Sequence, residues 1–141
     1  MRTTRMLAAA MLLVGSGLTV QLAQAQQPTA QVMQSSGIGR TDVLQNDLSQ
    51  PGREVIQTRV DFAPGTKAAE HSHPGEEVAY ILDRTLEYNL EGRAPITLNA
   101  GEALFIPAGT PHWVRNVGPG KAAELATYIV EPAKPLLTFA E

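Results

Sequence analysis

No cysteine occurs in the 141-residue chain. Its absence excludes a disulfide framework, a thiolate metal ligand and a lipid anchor attached through cysteine. An excess of positive charge is also missing, since 11 Lys and Arg stand against 14 Asp and Glu for a formal net charge of −3. Nucleic acid is therefore a disfavoured partner. The one sustained apolar run, residues 6–20, is interrupted by Gly15, Ser16 and Gly17. It is too short and broken to span a hydrocarbon core of roughly 30 Å. No long stretch has helical periodicity, and histidine occurs only three times.

The apolar run follows Arg2 and Arg5 and ends at Ala23-Gln24-Ala25, a small-x-small cleavage signature. These features predict a secretory signal peptide over residues 1–25 and a periplasmic or secreted protein with no membrane anchor. Because the two arginines are not adjacent, passage in an unfolded state is expected, with metal acquired outside the cytoplasm. Losing two positive residues with the peptide would move the charge from −3 to −5. Residues 26–37 are rich in Gln, Ser and Ala and read as a flexible leader. Residues 38–141 are left as one compact domain.

Within that domain, short alternating runs are separated by Pro and Gly. Ile56, Thr58, Val60 and Phe62 share one face of the first, with Gln57, Arg59 and Asp61 on the other, before Ala63-Pro64-Gly65 ends it. Similar runs cover residues 78–82, 86–90, 96–98, 103–106, 113–116 and 125–130. Many short strands spaced in this way predict an all-β sandwich or barrel.

The three histidines carry the chemistry. His71 and His73 are two apart, which on a strand puts both imidazoles on one face. Pro74-Gly75 and then Glu76 and Glu77 follow, and His112 begins a later strand. A His-x-His pair with a nearby carboxylate and one further His is a ligand set for an imidazole-preferring divalent metal. Alone, any one of these residues would read as an ordinary satisfied side chain.

The spacing resembles the cupin superfamily at both of its motifs. Gly65, His71, His73 and Glu77 match Gly-x5-His-x-His-x3-Glu, and Gly101, Pro107, Gly109, His112 and Asn116 match Gly-x5-Pro-x-Gly-x2-His-x3-Asn. The glycine that should close the first motif is Arg84, and Asp83 is the candidate to take over its turning role. The resemblance implies a double-stranded β-helix, a jelly-roll cupin barrel, holding one divalent transition ion (Fe, Mn, Ni, Cu, Co or Zn) through His71, His73, Glu77 and His112. Glu76, one residue short of the family spacing, should point the other way. Strand alternation places Ala79 and Ile81 inward with Glu77, and Val114 and Asn116 inward with His112, while Val78, Tyr80, Leu82 and Trp113 face outward to pack between sheets or in a subunit interface. Pro107, Gly109 and Asn116 are framing residues.

Four protein ligands on a six-coordinate ion leave two open positions, unlike a closed structural zinc site. Cupin epimerases use a histidine base, and here every histidine is assigned to the ion. The first functional expectation is a quercetinase-like dioxygenase acting on an enolic or phenolic small molecule, with Glu77 as ligand and catalytic proton acceptor. The alternatives are a non-catalytic metal or small-ligand binding protein of the cell envelope, and a metal-dependent isomerase or hydrolase of a sugar-like compound. A homodimer is expected through a sheet edge or face. The export reading predicts a mature chain beginning at Gln26. An intact mass of the exported protein that still includes residues 1–25 would overturn it.

Overall fold

The computed structural model describes residues 37–140, so the expected signal peptide and leader residues 26–36 lie outside the described residues. Ten strands and no helix make up the described chain: β1 (Ile38–Asp47), β2 (Glu54–Phe62), β3 (His71–Ser72), β4 (Glu76–Asp83), β5 (Thr85–Leu90), β6 (Ile96–Asn99), β7 (Ala103–Ile106), β8 (His112–Asn116), β9 (Ala122–Val130) and β10 (Thr138–Phe139). They form two five-stranded antiparallel sheets, ordered β1-β2-β9-β4-β7 and β10-β3-β8-β5-β6. Neighbours in each sheet are mostly distant in sequence, which is the wrapped connectivity of a double-stranded β-helix.

Alternation decides which side chains fill the space between the sheets. Val60 and Phe62 of β2, Ala79 and Ile81 of β4, Leu86 and Tyr88 of β5, and Val114 of β8 are all buried there. Glu77 and His112 share those inward faces, as the alternation predicts. Val78, Tyr80 and Leu82 point outward and are exposed. Trp113 also turns away from the core, where Lys67 Nζ lies 4.0 Å from its ring centroid.

Three strands escaped the periodicity. β3 and β10 have two residues each, too few for a period to register. β1 is an edge strand whose pairing with β2 slips between Asp42 and Leu44. That bulge breaks the alternation. The strand read as residues 125–130 begins earlier, at Ala122, and this extension brings in Glu124.

The expected substitute turn at Asp83 is corrected. Asp83 is the last residue of β4, and Arg84 itself takes the left-handed conformation, with φ 62°. A side chain there costs roughly 1–2 kcal/mol relative to a right-handed backbone. The Arg84 carbonyl accepts a bond from Ala100 N at 2.8 Å. Its guanidinium lies so close to Gly120 that a Cβ added there would sit 2.5 Å from Arg84 Nε.

Asn116 shows what framing means physically. Its wholly buried amide donates to the carbonyls of Gly120 at 2.7 Å, Phe62 at 3.1 Å and Ala63 at 3.2 Å, and its oxygen accepts from Gly118 N at 2.9 Å. Two hydrogens serve three carbonyls, so one is shared between Phe62 and Ala63. One side chain thus ties the end of β2 to the turn before β9. Asn116→Ala leaves several buried backbone groups unpaired and should cost about 2–4 kcal/mol in urea unfolding. A loss under about 1 kcal/mol would contradict this tie.

Candidate metal centre

His71 in β3 pairs directly with His112 in β8. His73 follows just beyond β3, where Gly109 N donates to its carbonyl at 2.9 Å. The turn of the second motif therefore fixes the chain of the first. Gly75 makes the return to β4 possible: a Cβ there would fall 2.0 Å from the Ile129 carbonyl oxygen, so only glycine passes at this point. Glu77 then enters from the opposite sheet, beside Tyr128 of β9 in register.

Of the four expected ligands, the three histidines cluster, and Glu77 lies against two of them. The ligand atoms of His71, His73 and His112 lie within 4.8 Å of one another, forming a buried cluster that could hold a metal ion. Glu77 Oε2 is 3.0 Å from His73 Nε2 and 3.4 Å from His112 Nε2. Glu76 is not part of the cluster; it lies on the other face of β4, only partly buried.

The imidazole orientations come from backbone carbonyls. His71 Nδ1 lies 2.7 Å from Ala69 O, His73 Nδ1 2.7 Å from Leu136 O, and His112 Nδ1 2.9 Å from Thr110 O. A carbonyl only accepts, so each ring keeps its proton on Nδ1 and, when neutral, leaves the Nε2 lone pair free. His73 Nε2 and Glu77 Oε2 are buried without a hydrogen-bond partner. Two lone-pair atoms this close require a positive species between them, either a proton or a cation. A divalent ion fits this donor set.

The electrostatics express the same demand. Burial pushes the His71 pKa down to about 4, so this ring stays neutral at physiological pH. Burial works the same way on His112, but the facing Glu77 carboxylate and the hydrogen bond to the Thr110 carbonyl outweigh it and raise its pKa. Burial alone would raise Glu77; the facing imidazoles of His112 and His73 overcome this and hold its carboxyl down at about 2. Glu77 is therefore an anion throughout the physiological range.

The cluster opens on a cavity of about 560 Å³, within the usual range for small-molecule sites. Its walls include Ile38, Val60, Phe62, Val114, Leu137 and Phe139. A second polar group lines the same space: Arg40, Tyr88, Glu124 and Tyr128. Tyr88 donates a hydrogen bond to Glu124 Oε2, and Arg40 Nη2 donates to Tyr128 Oη at 3.2 Å. Sequence reasoning missed all four. The available signal was Glu124 itself, a lone charge in step with Ala126, Tyr128 and Val130 on the buried face of β9.

Burial and the nearby Glu77 charge push the Glu124 pKa up to about 8, against 4.5 for a free carboxyl. Glu124 is thus a neutral acid at pH 7. Above pH 4.5 the unfolded chain sheds a proton that the folded chain keeps. Its stabilising contribution is complete below pH 4.5 and is lost as pH rises through 8. The wild-type melting temperature should therefore fall relative to that of Glu124→Gln between about pH 5 and 9, because the amide does not titrate. Parallel curves for the two proteins would rule out a neutral Glu124.

Comparison with known proteins agrees with this geometry. Residues 58–129 match the family described as Cupin domain. The dimethylsulfoniopropionate lyase DddQ of Ruegeria pomeroyi is 39% identical over 72 residues, covering 50% of this chain and 35% of that protein. Its crystal structure superposes with a TM-score of 0.63 at 21% identity, over 74% of this chain and 52% of that one. Acireductone dioxygenase of Gluconacetobacter diazotrophicus is 24% identical over 86 residues, 59% of this chain and 44% of that protein. Recombinant oxalate oxidase in complex with glycolate superposes with a TM-score of 0.59 at 26% identity, over 73% of this chain and 55% of that one. The chain spans about a third to a half of the length of the curated relatives it matches.

Proposed function

Because this chain belongs to the cupin family, we propose that it is a mononuclear metal-dependent dioxygenase acting on an enolic or phenolic small molecule, with His71, His73, Glu77 and His112 as ligands. The observation that carries this reading is the convergence of three carbonyl-oriented imidazoles and an ionised, otherwise unpartnered carboxylate at the wall of an apolar cavity. Similarity to an acireductone dioxygenase and to oxalate oxidase supports an oxidative reaction. The ion, one of Fe, Mn, Ni, Cu, Co or Zn, would supply Lewis-acid polarisation of the substrate oxygen and, when redox-active, a route for O₂ to react with the enolate.

The chain's own residues supply the rest. The apolar walls exclude water, which strengthens every charge interaction inside. Glu77 would take the substrate hydroxyl proton, since its carboxylate already lies at the cluster, 3.0 Å from His73 Nε2. The Nδ1 bonds to Ala69, Leu136 and Thr110 keep the three rings from turning as that proton moves. A homodimer through the outer face of β4, β7 and β9 belongs to the same proposal. Val78, Tyr80, Phe105 and Ile129 are 36%, 44%, 55% and 36% exposed there.

Two substitutions separate holding the ion from using it. Glu77→Gln keeps size and an oxygen donor but loses charge and basicity, so at matched metal occupancy O₂ consumption with an enolic or flavonol-like substrate should fall by about 10²-fold or more. His112→Ala should lose activity chiefly by losing metal, read by elemental analysis. Equal O₂ consumption by Glu77→Gln and wild type would refute the proton-acceptor role. No turnover across Fe, Mn, Ni, Co and Cu with full loading would favour the binding protein instead.

A further inference from the structure

We infer that Arg40 is an anion anchor inside the barrel: the cavity takes a small organic molecule bearing a carboxylate, which seats on the Arg40 guanidinium while the rest of the molecule reaches towards His71, His73 and His112. This deepens the reading above by naming a substrate class for the same cavity. It requires neither O₂ chemistry nor proton transfer to Glu77.

Arg40 reaches the interior from the edge strand. In β1 it pairs with Val60, which pairs in turn with Glu124, so the three residues form one row across the inward face of the sheet. Among the described residues lining the cavity, it is the only Lys or Arg. Two surface arginines have carboxylate partners, Arg59 at 2.8 Å from Asp61 and Arg115 at 2.7 Å from Glu87, whereas Arg53, Arg84 and Arg93 have none among the described residues but do not line the cavity. Arg40 forms no such ion pair among the described residues, although its side chain is partly buried. A guanidinium does not give up its proton and has five N–H donors. The structure uses one of them, on a hydroxyl.

The carboxylate in its own row is not a substitute. Glu124 is buried and accepts the hydrogen bond from Tyr88, and it forms no ion pair with Arg40 among the described residues. The guanidinium therefore has donors to spare towards the cavity, and a planar ligand carboxylate can take two of them with bidentate geometry.

Tyr128 fixes where this anchor sits relative to the histidines. Its hydroxyl accepts from Arg40, its ring centroid lies 4.7 Å from that of His73, and its backbone is in register with Glu77. One residue thus links the guanidinium to the histidine cluster, so a small molecule can touch both. The Tyr128 O–H, already an acceptor for Arg40, still has its own hydrogen to donate to the same anion.

The test uses zinc-loaded protein, so that no turnover occurs, and calorimetric titration at pH 7. The probes are benzoate, phenylacetate and 3-phenylpropionate, each beside its neutral primary amide. At least one acid should bind wild type about tenfold or more tighter than its amide, the scale of one hydrogen-bonded charge pair. Arg40→Gln should bring that ratio to within about threefold while still taking up one zinc per chain, which reports a folded barrel. Arg40→Lys should keep part of the preference, and Tyr128→Phe should weaken it. The preference should persist in chelated wild type. No binding by any acid, a ratio near one in wild type, or a preference that survives Arg40→Gln would each overturn the proposal. A preference that disappears with the zinc would also overturn it, assigning the anion to the ion. Failure of O₂ consumption would leave all these ratios unchanged, so the two readings fail separately.

Discussion

Three hydrogen bonds from imidazole Nδ1 to backbone carbonyls are the constraint on which the centre depends. Each carbonyl belongs to a segment beside its ring or packed against it: Ala69 before β3, Thr110 before β8, and Leu136 from the chain end that precedes β10. Because the acceptors are backbone atoms, the ring orientations are set by the course of the chain rather than by other mobile side chains. The carbonyls also fix the tautomer, since none can donate. The result is a set of lone pairs facing a carboxylate in a buried space, an arrangement that repels itself until a cation or proton enters. Such a site is held open by the surrounding fold, which must supply the energy that the cluster alone lacks.

The surrounding strands show how that energy is supplied. β3 is only two residues long, and it carries His71 at a pairing with His112 while β10 lies on its other side. Gly75 lets the chain cross the backbone of β9 closely enough to bring Glu77 across from the facing sheet. Asn116 closes the opposite end by holding the exit of β2 and the entry to β9 together. The motif residues therefore divide into those that face the ion site and those that keep two short segments in register. Both kinds are spaced by the same turns.

Much of this was legible in the sequence because strands of five or more residues impose a period of two. Once the family resemblance set Glu77 and His112 inward, alternation put Ala79 and Ile81 with the first and Val114 and Asn116 with the second, and these positions stand in the structure. Arg84 was flagged by a missing glycine, and the backbone there is indeed left-handed. What failed to register has local causes. β1 has a bulge and mostly exposed residues, so its inward pair, Ile38 and Arg40, does not stand out from a polar run. Glu124 was lost because a charge within an apolar segment was taken as the end of a strand. Tyr88 was read as part of a strand, but no pattern within one strand reveals that its hydroxyl meets a carboxyl on another.

Those omissions share a physical feature that bears on the chemistry of the cavity. The residues visible from the sequence form the histidine cluster and Glu77, and those it concealed, Arg40, Tyr88, Glu124 and Tyr128, line the same cavity from other strands. The two sides interact electrostatically even though they do not bond. The Glu77 charge helps keep Glu124 protonated and raises the pKa of Tyr128 further, while Arg40 acts in the opposite direction on both. A cation placed among His71, His73 and His112 would offset the Glu77 charge and weaken that pressure on Glu124. The metal side and the concealed side therefore share one charge balance. An anion entering at Arg40 would remove the influence that favours ionisation of Glu124, whereas an ion at the histidines would add to it. Occupancy of either side would therefore shift the protonation balance of Glu124.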